Sequence, residues 1–207
     1  LFIDGVSVSE EIYSKPRYSR LLADLSGSAH LLVAEGEGGE ALVELLDGAP
    51  DSFGASAKVL FSASELAHAR IAESLTEASP GSLRICSSLP ELMLAFQEQL
   101  QSAVMGTRIY AAGGAGFLGA VTSALYDFGL SGSAIQMEQR GMQGRPVQCV
   151  HCKKISYGIT ANLVNCQGCD MVLFVRDHYS KRLGAFMGVA ANAEVCNIPL
   201  SSTEKFR

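Results

Sequence analysis

Two C-x-x-C pairs constrain this chain more than any other feature: Cys149-Val-His-Cys152 and Cys166-Gln-Gly-Cys169. Two residues between the cysteines of a pair let both sulfurs face one point. Two such knuckles supply four sulfurs, a closed tetrahedral shell for Zn²⁺. Four unrelated core thiols would not be spaced in pairs. A single iron ion in a rubredoxin-type site is the rival occupant, because tetrahedral thiolate suits both metals. A closed shell of Cys149, Cys152, Cys166 and Cys169 leaves no position for a catalytic water, so the expected zinc is structural. The spacer, residues 153–165, is long enough for a short hairpin. Residues 154–160 and 171–175 read as strands of a zinc module too small to fold without its metal.

The rest of the chain is a larger domain. The 207 residues are 48% hydrophobic and 18% charged, ample for a packed core and unlike a disordered chain. The net charge of −5 and the absence of a dense Lys/Arg run remove the electrostatic footprint of a nucleic-acid binder. No apolar run reaches the length of a membrane span. Cys86 and Cys196 stand unpaired beside the two knuckles, a pattern that fits a reducing cytoplasm better than a secreted disulfide framework.

From Ala29 onward, short apolar runs alternate with helical patterns. The runs are His30-Leu-Leu-Val-Ala34, Lys58-Val-Leu-Phe-Ser62, Ser82-Leu-Arg-Ile-Cys86, Thr107-Arg-Ile-Tyr-Ala-Ala112 and Ala134-Ile-Gln-Met-Glu138. Helices are expected over residues 39–46, from a Ser64 cap to about 75, over 89–104 with Pro90 in the first turn, and over 116–126. Phe128-Gly129 reads as a C-terminal glycine stop. Five strands with four crossover helices predict an α/β fold with a parallel sheet covered on both faces. Residues 1–27 form an extension, with an edge strand expected near residues 6–13 and a turn at 15–18. The α/β domain spans residues 28–140, residues 141–146 read as a linker, the zinc ribbon covers 147–189, and 190–207 is a tail.

Two glycine clusters follow strands. Gly36-Glu-Gly38-Gly39 follows the first strand, and Gly113-Gly114-Ala-Gly116 follows the fourth. Glycine lets backbone approach a phosphate at a helix N-terminus. In a 3-2-1-4-5 sheet these loops share one crevice at the switch point, where a nucleotide would sit. Neither loop is a full dinucleotide fingerprint, and Glu35, Glu37 and Glu40 would repel a pyrophosphate. Tight strand-to-helix turns in an inherited scaffold are the favoured account of the glycines. None of His30, His68, His151 and His178 stands in a nucleophile–base arrangement, Cys86 reads as a core thiol, and no catalytic residue emerges. Residues 176–182, Arg-Asp-His-Tyr-Ser-Lys-Arg, have the composition of a protein interface.

Two resemblances follow from these residues. Arg108-Ile-Tyr-Ala-Ala-Gly-Gly-Ala-Gly-Phe-Leu-Gly-Ala-Val, continuing to Ile135-Gln-Met-Glu138, resembles the last strand–helix–strand of the ferredoxin reductase nicotinamide domain. Where that family carries Cys-Gly-Pro, this chain has Ala112-Gly113-Gly114, so its cofactor motifs are altered. The whole pattern, with the two knuckles and Val175-Arg-Asp-His-Tyr-Ser, is similar to the small accessory subunit of bacterial haem-dependent dimethylamine monooxygenase, the DmmA-like family.

That resemblance implies an NADPH- and O₂-dependent complex that converts dimethylamine to methylamine and formaldehyde. It implies a haem-containing catalytic subunit and a flavin and iron–sulfur reductase subunit as partners, with this chain contributing structural zinc and docking. The alternative is that the reductase-like domain binds NAD(P)H through Gly36, Gly38, Gly39, Gly113 and Gly114 and passes hydride to a partner's flavin. A free-standing zinc-ribbon adaptor for nucleic acid is a third reading, and the acidic charge counts against it.

Overall fold

The computed structural model describes residues 16–63, 68–78, 80–130, 132–191 and 204–206. Strands β1 (Ala29–Glu35), β2 (Ala57–Ser62), β3 (Ser82–Cys86), β4 (Thr107–Gly113) and β5 (Ile135–Gln139) form one sheet in the order β3-β2-β1-β4-β5. Every pairing in it is parallel. The α/β expectation and the strand order therefore hold.

Central β1 and β4 are apolar without alternation because both of their faces are covered. Leu31, Val33, Ile109 and Ala111 face helices α4 (Leu89–Gln101) and α5 (Ala115–Asp127), meeting Leu92, Phe96, Leu118 and Val121. Leu32, Ala34, Tyr110 and Ala112 face the other way, toward α1 (Gly38–Asp47), α2 (Asp51–Ser56) and α3 (Ala69–Glu77). Helix α4 starts where Ser88 accepts a hydrogen bond from the Glu91 N–H, with Pro90 in the first turn.

Some boundaries differ from the sequence reading. Helix α2 was not anticipated; its six residues are held by Phe53, which stacks on His30 with ring centroids 4.1 Å apart. Helix α3 begins at Ala69, and the expected Ser64 cap lies outside the described residues. Helix α4 ends at Gln101 rather than 104, because Ser102 and Ala103 close turns onto Gln99 and Leu100. The Thr107 hydroxyl then donates to the Val104 carbonyl. The edge strand expected near residues 6–13 lies outside the described residues, as does Lys15 of the expected turn.

The segment from Ser19 to Asp24 closes the β5 edge. The Ser19 N–H donates to the Met137 carbonyl, and the Leu21 N–H to Glu138 Oε2 at 2.8 Å. Gln136 bonds both backbone groups of Leu22. The Asp24 N–H reaches the Tyr110 hydroxyl, and the Asp24 carboxylate pairs with Arg108. Hydrogen bonds from the Ser26 hydroxyl and then from Arg108 hold the Asp24 carboxyl down at about 2.

The second sheet contains β6 (Arg145–Cys149), β7 (Ile155–Ile159), β8 (Leu163–Asn165), β9 (Val172–Ser180) and β10 (Ala185–Ala190), in the order β7-β6-β10-β9-β8. The spacer does not form a hairpin of its own. Strand β7 pairs with β6 and β8 with β9, so each knuckle is the turn of its own antiparallel hairpin. Strand β10 joins the two, antiparallel to β9 and parallel to β6. The linker accordingly ends before Arg145, and Pro146, which has no N–H to donate, sits where the β6–β7 register shifts. The tail is partly tied down, since the Phe206 N–H donates to the Thr160 carbonyl.

The ribbon docks on α5. A Cβ on Gly119 would stand 2.3 Å from the Gly184 carbonyl oxygen, and one on Gly184 would stand 2.0 Å from the Gly119 oxygen. Only two residues without side chains allow this approach. The Ser123 hydroxyl donates to the Arg182 carbonyl at 2.7 Å, and Tyr157 lies against Gly116.

Gly119→Ala should lower the melting temperature by about 2–6 °C, because overpacking at the contact outweighs the better helix propensity of alanine; a calorimetric scan checks the sign. Asp24 has a depressed folded-state value, so its stabilisation is complete above its unfolded value near pH 4 and is lost as pH falls through about 2. Asp24→Asn should flatten the stability-versus-pH curve in that window, measured by denaturant titration.

Candidate metal centre

The two knuckles have the same backbone geometry. In the first, the Lys153 N–H donates to the Cys149 carbonyl and the Cys149 N–H to the Lys154 carbonyl, both at 3.0 Å. In the second, the Asp170 N–H donates to the Cys166 carbonyl and the Cys166 N–H to the Met171 carbonyl, both at 2.9 Å. The residue after each second cysteine turns into the left-handed region, with φ 65° at Lys153 and 57° at Asp170. These are the only non-glycine residues with positive φ among the described residues. Such a conformation costs roughly 1 kcal/mol or more per residue and persists where the surroundings impose it.

All four sulfurs lie within 4.8 Å of one another. The Cys149–Cys169 separation is 3.8 Å and the Cys152–Cys166 separation is 3.5 Å. Thiolates at about 2.3 Å from a tetrahedral centre stand about 3.8 Å apart, while a disulfide needs about 2.05 Å. The cluster therefore has the dimensions of a four-coordinate metal shell and could hold a metal ion. Cys149 and Cys166 are buried, with Leu173 and Met171 packed around them, whereas Cys152 is exposed.

Four thiols this close share their protons. Burial pushes the Cys166 thiol up, but the N–H groups of Gly168 and Cys169 and the thiols of Cys152 and Cys169 outweigh it and bring it down to about 6. The Met171 N–H draws Cys169 down, but burial and its three sulfur neighbours push it up to about 12. One thiolate forms easily, and a second beside it does not. A divalent cation at the centre removes that repulsion and lets every sulfur ionise. His151 is exposed, in keeping with its place as a knuckle residue other than a ligand.

The glycine loops meet at the carboxyl ends of β1 and β4, as the strand order requires. The crevice between them is filled. A Cβ on Gly38 would stand 2.1 Å from the Ala112 carbonyl oxygen, so the start of α1 rests directly on the end of β4. One on Gly39 would meet Ile71 and Phe61 at 2.4 and 2.6 Å. Gly36, at φ 55°, turns the chain beside His68.

The Gly113 carbonyl accepts from Arg140, and Gly114, at the start of α5, lies beside Met142. The Met142 carbonyl accepts from the Ala115 N–H in the first turn of α5, and Gly141 lies against the Glu37 carboxylate. Close packing thus accounts for the glycines, and the linker crosses the place where a pyrophosphate would approach α5. Burial raises the Glu35 carboxyl against the pull of His68. Glu138 holds the Leu21 N–H and Arg140, which also pairs with Glu44.

The polar stretch 176–182 is not a loop from its start, since β9 runs to Ser180. Tyr179 points inward against Phe186, whereas Arg176, Asp177 and His178 are exposed. Sequence reading missed Arg145. Its guanidinium pairs with Asp177 at 2.7 Å and lies over the Phe186 and Phe206 rings at 4.5 and 3.8 Å. Arg145 thereby ties β6, β9, β10 and the tail together, a convergence of four segments that no local pattern announces.

The fold and the centre define a doubly wound α/β domain carrying a four-cysteine ribbon. The chain belongs to the dimethylamine monooxygenase subunit DmmA-like family: its N-terminal domain model matches residues 10–135 and its C-terminal domain model residues 146–189. A heme-dependent oxidative N-demethylase delta subunit from Ectopseudomonas mendocina (strain ymp) is 29% identical over 182 residues, covering 88% of this chain and 90% of that protein.

Among solved structures, the FAD/NAD-binding domain of nitric oxide dioxygenase from Vibrio cholerae O1 biovar El Tor has a TM-score of 0.44 at 18% identity, covering 61% of this chain and 56% of that one. Flavohemoglobin from Malassezia yamatoensis has a TM-score of 0.43 at 15% identity, covering 56% of this chain. This chain spans about half of the first and 32% of the second. Among the described residues, no helix is long and apolar enough to cross a membrane.

A Cβ at position 168 would meet Lys154 at 2.8 Å and the Cys152 sulfur at 3.1 Å. Gly168→Val should therefore weaken metal retention by at least about tenfold, the scale of a disturbed supporting shell. Chelator competition on metal-loaded protein measures it.

Proposed function

We propose that this chain is a non-catalytic, accessory subunit of a haem-dependent amine monooxygenase that demethylates dimethylamine to methylamine and formaldehyde with NADPH and O₂. Membership of the DmmA-like family carries the reading, together with the relative described as a delta subunit of a haem-dependent N-demethylase. The haem is held by a catalytic partner, and the flavin and iron–sulfur centre by a reductase partner. Cys149, Cys152, Cys166 and Cys169 hold a structural Zn²⁺ that fixes the turns of two hairpins. The exposed side chains of residues 176–182 lie on one of those hairpins and dock a partner. All of this takes place in the cytoplasm.

The chemistry of the centre supports a structural role. Four sulfur ligands complete the coordination of zinc, so no water is bound and activated there. Among the described residues, no nucleophile–base pair is brought to it. The strand order keeps a second reading in view, in which Gly36, Gly38, Gly39, Gly113 and Gly114 bind NAD(P)H and the chain passes hydride to a partner's flavin. The Gly38–Ala112 contact and the linker across α5 oppose it.

Two measurements separate the readings. Tagged chain isolated from its native cell should bring down a haem protein and a flavoprotein, and Cys149→Ser should lose both; recovery of the wild-type chain alone would contradict the docking role. Titration of the purified chain with NADPH should show no saturable binding up to millimolar levels. Saturation below that would favour the hydride-passing reading.

A further inference from the structure

We propose that the four-cysteine centre is also a reversible oxidation site, at which hydrogen peroxide releases the bound ion and leaves two disulfides, Cys149–Cys169 and Cys152–Cys166, in its place. Such a site rests on the reading of these cysteines as a metal shell. Two sulfur pairs that bridge the knuckles are in hydrogen-bond contact, Cys149 with Cys169 at 3.8 Å and Cys152 with Cys166 at 3.5 Å. A disulfide needs about 2.05 Å, so each pair has to close by less than about 2 Å. Within a knuckle the cysteines are three residues apart, whereas the bridging pairs are 20 and 14 apart. A bond that closes the longer loop removes more freedom from the unfolded chain. A crossing bond also ties β6–β7 to β8–β9, as the ion would, and a bond within a knuckle does not. Oxidation therefore costs the ribbon its metal without parting its hairpins.

Cys152 is the entry point. Its side chain is exposed, whereas Cys149 and Cys166 are buried and Cys169 is half-buried. Gly168 leaves one side of its sulfur uncovered, since a Cβ there would stand 3.1 Å from it. An accessible thiolate with a resolving sulfur beside it is the arrangement of a redox-sensitive cysteine. The Cys152 thiolate attacks one peroxide oxygen, the O–O bond breaks, and the departing hydroxide takes up a proton to become water. Cys152 then carries a sulfenic acid. The Cys166 sulfur attacks the Cys152 sulfur, forming the S–S bond and breaking the S–O bond, and a second water leaves. Cys169 and Cys149 repeat the sequence with a second peroxide. Four electrons pass from four thiolates to two peroxides, four protons come from solvent, and four waters form. The cation is released because no thiolate is left to hold it. A thiol reductant reverses the bonds, as a transient disulfide in a reducing compartment requires.

Peroxide titration of the purified, metal-loaded chain tests this. A chromogenic indicator reads the released metal, and peptide mapping follows each of the six cysteines. The expected result is a sulfenic-acid trap that labels Cys152 first, then loss of the ion and of four titratable thiols. The map should show Cys149–Cys169 and Cys152–Cys166, and dithiothreitol with zinc should restore the starting state. Amide exchange should find β6 to β9 as protected in the oxidised chain as before, in contrast to the chelated, reduced chain. Bonds within the knuckles, a bond to Cys86 or Cys196, irreversible sulfonic acids, or an ion retained at a large excess of peroxide would each overturn the proposal. Metal content before peroxide is added tests the shell separately. A chain that arrives without zinc fails the zinc reading, while the mapped pairing still decides this one.

Discussion

Four cysteine sulfurs converge on one point, and the second half of the chain is arranged to bring them there. Sulfurs 3.8 and 3.5 Å apart in two of the pairs would repel one another as thiolates, and a cation at the centre would remove that repulsion. Each knuckle spends a strained left-handed residue, Lys153 or Asp170, to turn both of its sulfurs inward. Each knuckle is also the turn of a hairpin, so an ion bound there would fix the relative position of β6–β7 and β8–β9. Strand β10 then stitches the hairpins into a single sheet. A small apolar cluster around Val147, Val175 and Phe186 completes the ribbon. A core of five buried side chains is slight by itself, and the docking on α5 adds to it, as a metal held by the four cysteines would.

The docking surface explains how the larger domain is used. Gly119 and Gly184 meet back to back, so helix and ribbon approach as closely as backbones can. The linker that carries the chain to the ribbon crosses the crevice at the sheet's switch point, with the Met142 carbonyl on the first turn of α5. In a doubly wound sheet that helix terminus is a position where phosphate is commonly held. Here a main-chain carbonyl takes one of the donors. The α/β domain serves as a platform whose switch-point corner is packed by the linker to its own ribbon.

Much of this was legible in the sequence, for definite reasons. Parallel strands buried on both faces leave unbroken apolar runs, so β1, β2 and β4 could be read directly. The paired cysteine spacing located the four-sulfur cluster, which could hold a metal ion, because two intervening residues fix how sulfurs face. Helix α2 escaped because six residues with a glycine show no period, and they are held by buried Phe53 and by the distant Gly81 N–H on the Gly54 carbonyl. Strand β6 escaped because its partners β7 and β10 are set by long-range pairing, and its Pro146 reads as a linker residue. The glycine loops were located correctly, but their surroundings depended on Ala112, Met142 and Glu37, which sequence spacing does not bring together. The bonds of Glu138 and Arg145 likewise join segments far apart in the chain.

One closed, structural zinc site, as proposed for the four cysteines, would organise the ribbon and its docking. The most direct test is metal analysis of the purified chain joined to amide exchange before and after chelation. One zinc per chain and no iron is the expected result. Removal of the metal should release protection in β6 to β9 and along the docked face of α5, while β1 and β4 keep theirs. A stoichiometric iron content, or a ribbon whose protection is unchanged once the metal is gone, would contradict it.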